Sequence, residues 1–290
     1  MRKIVTILLI ALLTFPLLAQ GAAESTKTEE PKVIIFQSKV EITEALERAV
    51  ADFSAETGIP VEIWETTGDD YRSQLQLRLA GDEVPTIFSV SKGSEADLFA
   101  PYIADISSGK IQEYVSDALA LVSNGKRAGV PYGVEGYGLV INESLVDAKE
   151  ISTFDGLMNY IKKTANSGIN PLGLSEGTYF LIGHILNAPF AVMDNPEQFI
   201  HDYENGDIKL RDQESFQQFA LLMEAIRSYC ANPLEINYDK SCGDFATGKT
   251  AMIHQGNWIY SMFASYDIDF DMSIAPVPLL DNDALSISVP

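Results

Sequence analysis

The sequence predicts an α/β protein in two successive halves, the first a run of βαβ units on a mostly parallel sheet and the second richer in helix. Three observations carry this. Short apolar runs alternate with helical stripes of about a dozen residues from Pro31 onward, the order that parallel pairing requires. The 290 residues are 46% hydrophobic and only 21% charged, which supplies a sizeable core and excludes a disordered chain. The length corresponds to one or two domains.

Val33 to Phe36 is the first short apolar run. From Glu41 to Thr57 the apolar residues Ile42, Ala45, Leu46, Ala49, Val50 and Phe53 recur at helical spacing, and Gly58 ends the helix. Val61 to Trp64 is the next strand, with Trp64 read as a core residue at the end of an alternating run. Asp69 to Ala80 is a second helix closed by Gly81, and Thr86 to Val90 a third strand after Pro85. Strand pattern returns between Val130 and Asn142, in Gly138-Leu139-Val140-Ile141. After Ser152 the pattern predicts helices over Phe154 to Ala165, Tyr179 to Leu186 and Asp212 to Tyr229. The last carries Phe216, Phe219, Ala220, Leu222, Met223 and Ile226 on its apolar side. Ala251 to His254 and Met272 to Val277 are strand candidates. Asp281-Asn282-Asp283 reads as a turn, after which Leu285, Ile287 and Val289 alternate as a strand up to Pro290. An apolar strand at the very end of a chain is unusual, so the chain is expected to be C-terminally incomplete.

The N-terminus has the layout of an export signal over residues 1–23. Arg2-Lys3 precedes an apolar stretch from Ile4 to Leu18, broken only by Thr6, Thr14 and Pro16, and the small residues Gly21-Ala22-Ala23 follow. The alternative, a retained anchor, is disfavoured by the short stretch and the polar sequence after Glu24. A lipid anchor needs a Cys at the cleavage point, whereas the first Cys is Cys230, so a soluble periplasmic protein is expected. The 20 Lys and Arg stand against 41 Asp and Glu, a net charge of −21. Cleavage removes Arg2 and Lys3 and no acid, leaving −23. Such a surface repels nucleic acid and anionic membranes. Cys230 and Cys242 lie 12 residues apart in turn-rich sequence. In an oxidising compartment a local disulfide is expected, worth about 2–3 kcal/mol, with two unpaired thiols as the alternative. Without a second Cys pair or a His pair there is no zinc site, and no metal is expected.

Catalytic signatures are scarce. Gly243-Asp244-Phe245-Ala246-Thr247-Gly248-Lys249-Thr250 matches a phosphate-loop pattern, but no hydrophobic strand precedes it and Ala251-Met252-Ile253 after it is strand-like. The phosphate-loop arrangement is the reverse, so Gly248-Lys249 reads as a turn between a helix end and a strand. There is no GxSxG and no HExxH, and His184, His201 and His254 are scattered without ligand spacing. Paired carboxylates about 5–10 Å apart, as in glycoside hydrolysis, cannot be picked out of so many acids. No cofactor is expected and no enzyme activity is indicated.

Five segments occur in a telling order: Ile35-Phe36-Gln37-Ser38, Ser54 to Glu62, Tyr71 to Pro85, Val130 to Gly136, and Phe245 to Met252 leading to Gly256-Asn257-Trp258. Together they resemble the extracellular solute-binding proteins of family 1, the maltose-binding type that serves sugar ABC importers, over residues 32–290. The resemblance implies a two-lobe periplasmic-binding-protein fold (type II, maltose-binding-like) with solute in the cleft between the lobes. The first lobe would span 24–134 and the second 135–284, with a crossing near Tyr132 to Glu135. Residues 285–290 would return towards the first lobe. Further helices and another crossing follow in the family, so the resemblance covers about its first two-thirds.

The implied function is an extracytoplasmic receptor, expected to be a monomer, that binds a mono- or oligosaccharide and delivers it to the membrane permease of an ABC importer. A pyranose presents an apolar C–H face and a rim of hydroxyls, which an aromatic platform with nearby acceptors recognises. By resemblance Trp258 stacks on the ring, beside Asn257 in the same segment; a core Trp at a helix start is its other reading. Glu135 matches a carboxylate at the crossing, and Glu176 with Tyr179 resembles a carboxylate-plus-Tyr pair; a solvated Glu and a packing Tyr are the alternatives. In open α/β sheets ligands meet the loops after the strands, which points to Gln37 and Ser38 and to Ser91 and Lys92. Two rival functions stand beside this one. One is an exported glycoside hydrolase using paired carboxylates. The other is a receptor for a non-sugar solute such as a polyamine or peptide, serving a sensor; the charge of −23 makes cationic solutes conceivable.

Overall fold

Two sheets with separate apolar cores organise the chain, whose computed structural model describes residues 32–66, 70–82, 84–117, 119–177 and 179–288. The export segment and Val289-Pro290 lie outside the described residues. The first half runs β1 (Val33–Gln37), α1 (Thr43–Thr57), β2 (Val61–Glu65), α2 (Asp70–Ala80), β3 (Ile87–Phe88) and α3 (Ser94–Phe99). Its three described strands are parallel in the order β2-β1-β3, with Phe36 level with Trp64 and Phe88. Gly58 closes α1 at φ 73°, donating its N–H to the Ser54 carbonyl, a left-handed cap that glycine adopts without a Cβ clash.

Tyr71, Leu75 and Leu79 lie one turn apart on α2 and pack with Phe36 and Phe99 to form the first core. Trp64 packs against it with the Arg78 guanidinium 4.3 Å from its ring centre. The apolar stripe of α1 is mostly uncovered: no residue of this helix is buried and Phe53 is 42% exposed. A hairpin of β4 (Leu121–Ser123) and β5 (Lys126–Gly129) follows, which the sequence reading does not anticipate. Asn124 and Gly125, both at positive φ, supply the mirror-image two-residue turn that such hairpins favour.

The second half contains β6 (Glu135–Asn142), α4 (Phe154–Thr164), β7 (Asn170–Gly173), α5 (Pro196–Glu204), α6 (Glu214–Tyr229), α7 (Tyr238–Ala246), β8 (Thr250–Gly256), β9 (Met272–Ala275) and β10 (Ser286–Ser288). The strand order is β10-β6-β8-β7, with β9 also paired to β6. Only β7 and β8 are parallel; β8, β9 and β10 all run antiparallel to β6. The mostly parallel sheet expected of the first half is found in β1 to β3, whereas the strand at Gly138 to Ile141, expected among those parallel strands, belongs to the second, mostly antiparallel sheet. Hydrophobic pattern sets which face of a strand is covered, whereas direction is set by connections, and here the passage from β8 to β9 straddles β6. The final strand, expected to return towards the first lobe, pairs over Ser286 to Ser288 with Glu135 to Tyr137 of β6.

Side chains alternate along β6, so the second sheet has two covered faces. Leu139 and Ile141 meet Leu157 and Ile161 of α4 and Leu222 and Ile226 of α6, while Val140 meets Phe245 of α7 with Ile259 and Phe263. This arrangement corrects the disulfide expectation. Cys230 packs with the first face and Cys242 with the second, and both are free thiols. The sheet lies between them. The phosphate-loop match is a helix end: Gly243 to Ala246 finish α7, Gly248 turns at φ 71°, and Thr250 begins β8. No helix among the described residues is long and apolar enough to cross a membrane.

Candidate functional site

The ends of β1, β6 and β8 meet where the two halves face each other. Gly256 ends β8, and the Trp258 ring folds back across it. A Cβ at Gly256 would lie 2.1 Å from Cζ3 of the indole, so only glycine admits this ring position. The indole Nε1–H donates to Oε1 of the fully buried Gln255 at 3.1 Å, which fixes the ring in its plane. Asn257, between them, accepts from the Gly136 N–H at 3.1 Å and ties the Gly-Asn-Trp segment to the start of β6.

Two rings support Trp258 from the side. Tyr137 lies 5.9 Å and His184 5.1 Å from it between ring centres, both tilted, and Tyr137 and His184 are 4.8 Å apart. His184 closes a π-helical turn, Tyr179–His184, a departure from regular helix that often marks functional segments. His254 of β8 stands edge-on to Tyr137 at 6.1 Å. Burial pushes the His184 imidazole down to about 4, with the Lys39 charge adding to it. Burial, then the neighbouring His184, takes His254 down to about 3. Both histidines are thus neutral at physiological pH and act as polarisable walls.

The first half contributes Lys39, from the loop after β1. Its ammonium lies 5.6 Å from the centre of a Trp258 ring, 2.6 Å from Oε2 of Glu135 and 3.7 Å from Oε1 of Glu41. The loop conformation follows from Gln37, whose side chain accepts from the Lys39 N–H and donates to Glu65. Tyr132, just before β6, lies within range of the charges of Lys39, Glu135 and Glu41. One aromatic platform, one ammonium and two carboxylates thus converge at the meeting of the halves. That set can hold a ring with hydroxyls on its rim. Among the described residues no group of three or more His, Cys, Asp or Glu is placed to hold a metal.

Of the residues singled out from sequence, Trp258, Asn257 and Glu135 come together here. Gln37 is buried and shapes the Lys39 loop, with Ser38 half-buried beside it. Glu176 sits past the end of β7, exposed, with its N–H bound to the Ile236 carbonyl at 2.7 Å. The Tyr179 backbone opens the π-helical turn and its side chain is outside what is described. Ser91 and Lys92 are exposed, and the Ser91 N–H is held by the Glu95 carboxylate. Lys39 belongs to a loop the sequence points to, whereas Glu41, Tyr137, His184 and Gln255 carried no signal of their own. The alternation of β6 could have found Tyr137, two residues beyond Glu135.

A cavity of about 330 Å³ opens at the opposite end of the second sheet, lined by Asn142, Ser144, Thr247, Tyr266, Asp267 and Asp269 among others. It faces the C-terminal end of α7, where helix carbonyls and the two aspartates disfavour a phosphate. Its aromatic side chains are Tyr266 and Phe270.

Among solved structures, the chain matches the solute-binding protein RafE in complex with raffinose at TM-score 0.70 and 20% identity, over 89% of this chain and 73% of that one. It matches the maltose/maltodextrin-binding domain MalE from Bdellovibrio bacteriovorus bound to maltotriose at 0.65 and 16%, over 89% and 71%. A chitin oligosaccharide binding protein matches at 0.66 and 17%, over 89% and 70%. No curated protein sequence matches the chain. At these identities the likeness shows the fold, the two-lobe α/β arrangement of solute-binding proteins. The family described as bacterial extracellular solute-binding protein matches residues 48–289, and the chain belongs to that family.

Proposed function

We propose that this chain is the extracytoplasmic receptor of a carbohydrate importer, which takes a sugar between its lobes and presents the closed form to a membrane permease. The observation that carries this reading is the Trp258 indole, laid over Gly256 and pinned by Gln255, with Glu135 and Lys39 at its rim. A flat apolar face suits the C–H side of a pyranose, and charged groups at the rim suit its hydroxyls. The solved relatives add support, since their ligands are raffinose, maltotriose and chitin oligosaccharide. Glu135 is bonded to an ammonium, which favours holding a solute over giving a proton to a glycosidic oxygen.

In this reading the lobes divide near Val134, residues 24–134 against 135–284. The protein works as a soluble monomer in the periplasm after loss of residues 1–23. Lys39, reaching from one lobe to Glu135 on the other, sits where hinge closure acts. Calorimetric titration with raffinose, maltotriose, chitin oligosaccharides and their monosaccharides tests it. At least one is expected to bind near micromolar, about −8 kcal/mol, and Trp258→Ala is expected to remove that binding while leaving the fold. Binding by none of them, or binding unaffected by Trp258→Ala, would refute the proposal.

A further inference from the structure

We infer that this cleft selects solutes carrying a positive charge, an amino sugar ahead of its neutral parent and a uronate last, a step that rests on the carbohydrate reading above. The place over the Trp258 ring is already that of a cation: the Lys39 ammonium lies 5.6 Å from the ring centre and bonds Glu135 at 2.6 Å. An aromatic face beside a carboxylate is an ammonium-binding arrangement.

The charge count extends the argument. Among the described residues Glu135 and Glu41 are ion-paired to the Lys39 ammonium, at 2.6 and 3.7 Å, and these three groups together sum to one negative charge. Their side chains are 15%, 17% and 20% exposed, which leaves them weakly screened by salt. His184, next along the indole, does not supply the balancing charge, because its buried imidazole is neutral. His254 behind it is neutral for the same reason.

Three solute classes then meet three different balances. A neutral sugar leaves the excess negative charge in place if Lys39 stays, and leaves both carboxylates without a cation if Lys39 is pushed off the ring. A uronate adds to the repulsion. An ammonium on the solute cancels the excess beside Lys39, or replaces Lys39 on the same ring and the same carboxylates.

The test titrates glucosamine, glucose and glucuronate, and galactosamine, galactose and galacturonate, into the protein with calorimetric readout, alongside the oligosaccharides above. In the series that binds, the amino sugar is expected to bind about tenfold tighter than its neutral parent and the uronate more weakly than either. Two variants move the ratio of amino to neutral affinity in opposite directions. Glu41→Gln removes the spare negative charge and shrinks the ratio, whereas Lys39→Met removes the resident cation and enlarges it. A neutral parent that binds as tightly as the amino sugar overturns this inference and leaves the carbohydrate reading standing. Binding by no sugar in either set overturns both.

Discussion

The Trp258 indole lies across the Cα of Gly256, so close that a Cβ there would be 2.1 Å from Cζ3 and 2.5 Å from two further ring atoms. The ring position thus depends on the absence of a side chain two residues earlier, and on the Gln255 side-chain oxygen Oε1 that accepts its N–H. Gly256→Ala is expected to push the indole off this position. The cost of forcing atoms into a packed site is roughly 1–3 kcal/mol, and solute affinity is expected to fall about tenfold or more. Urea unfolding measures the first and calorimetry the second. An alanine variant with unchanged affinity would show that the ring position does not matter for binding.

Lys39 and Glu135 join elements from the two halves through an ion pair at 2.6 Å with both side chains mostly covered. Lys39→Met is therefore expected to loosen the solute-free protein, giving a larger radius of gyration by small-angle scattering. Glu135→Gln should act similarly, and the double variant should add little to either. A double-mutant cycle on unfolding free energy is expected to give a coupling of about 1.5–3 kcal/mol, in the range of hydrogen bonds to charged groups. Additive single effects would contradict a bond between them.

Periodicity made the large amphipathic elements legible. The helices α2, α4 and α6 and the apolar runs of β6 and β8 all appear where the sequence placed them. β7 did not, because Asn170-Pro171-Leu172-Gly173 has one long apolar side chain and two punctuating residues, and only pairing with β8 makes it a strand. α5 and α7 are short and polar; the sequence marks only the end of α7, at the Gly248-Lys249 turn, and the capping roles of Asn195 and Asn237 emerge from the structure. Within the candidate site, Trp258 and Glu135 were legible through the segments that contain them. The Lys39–Glu135 contact spans 96 residues, and the environment of His184 depends on Tyr137 and Trp258, far away in the chain. Such meetings follow from tertiary packing, which local pattern does not encode.

Acid sensitivity follows from the two buried histidines. Their folded-state values, about 4 for His184 and about 3 for His254, lie below the ordinary imidazole value of 6.5. Between those limits the unfolded chain binds the protons that the folded chain refuses, so stability is full above about pH 6.5 and falls as pH drops. Each histidine costs about 2 kcal/mol on going from pH 6.5 to pH 5. Urea titrations at the two values should show the loss, and His254→Met should reduce it by about half. A pH-independent midpoint over this window would mean that the imidazoles are solvated.

The two cysteines give the last prediction. Burial pushes the Cys230 thiol up to about 11 and the Cys242 thiol up to about 12, so neither carries much thiolate near neutral pH, and the thiolate is the reactive form. Each also lies against a different face of the second sheet, which keeps them from pairing without disrupting that sheet. Native protein treated with iodoacetamide at pH 8 is therefore expected to react slowly, and protein unfolded in urea to take up two labels quickly. Purification without reductant should give the same intact mass as purification with it. A mass lower by two hydrogens, with labelling only after reduction, would mean that the second lobe rearranges to bring Cys230 and Cys242 together.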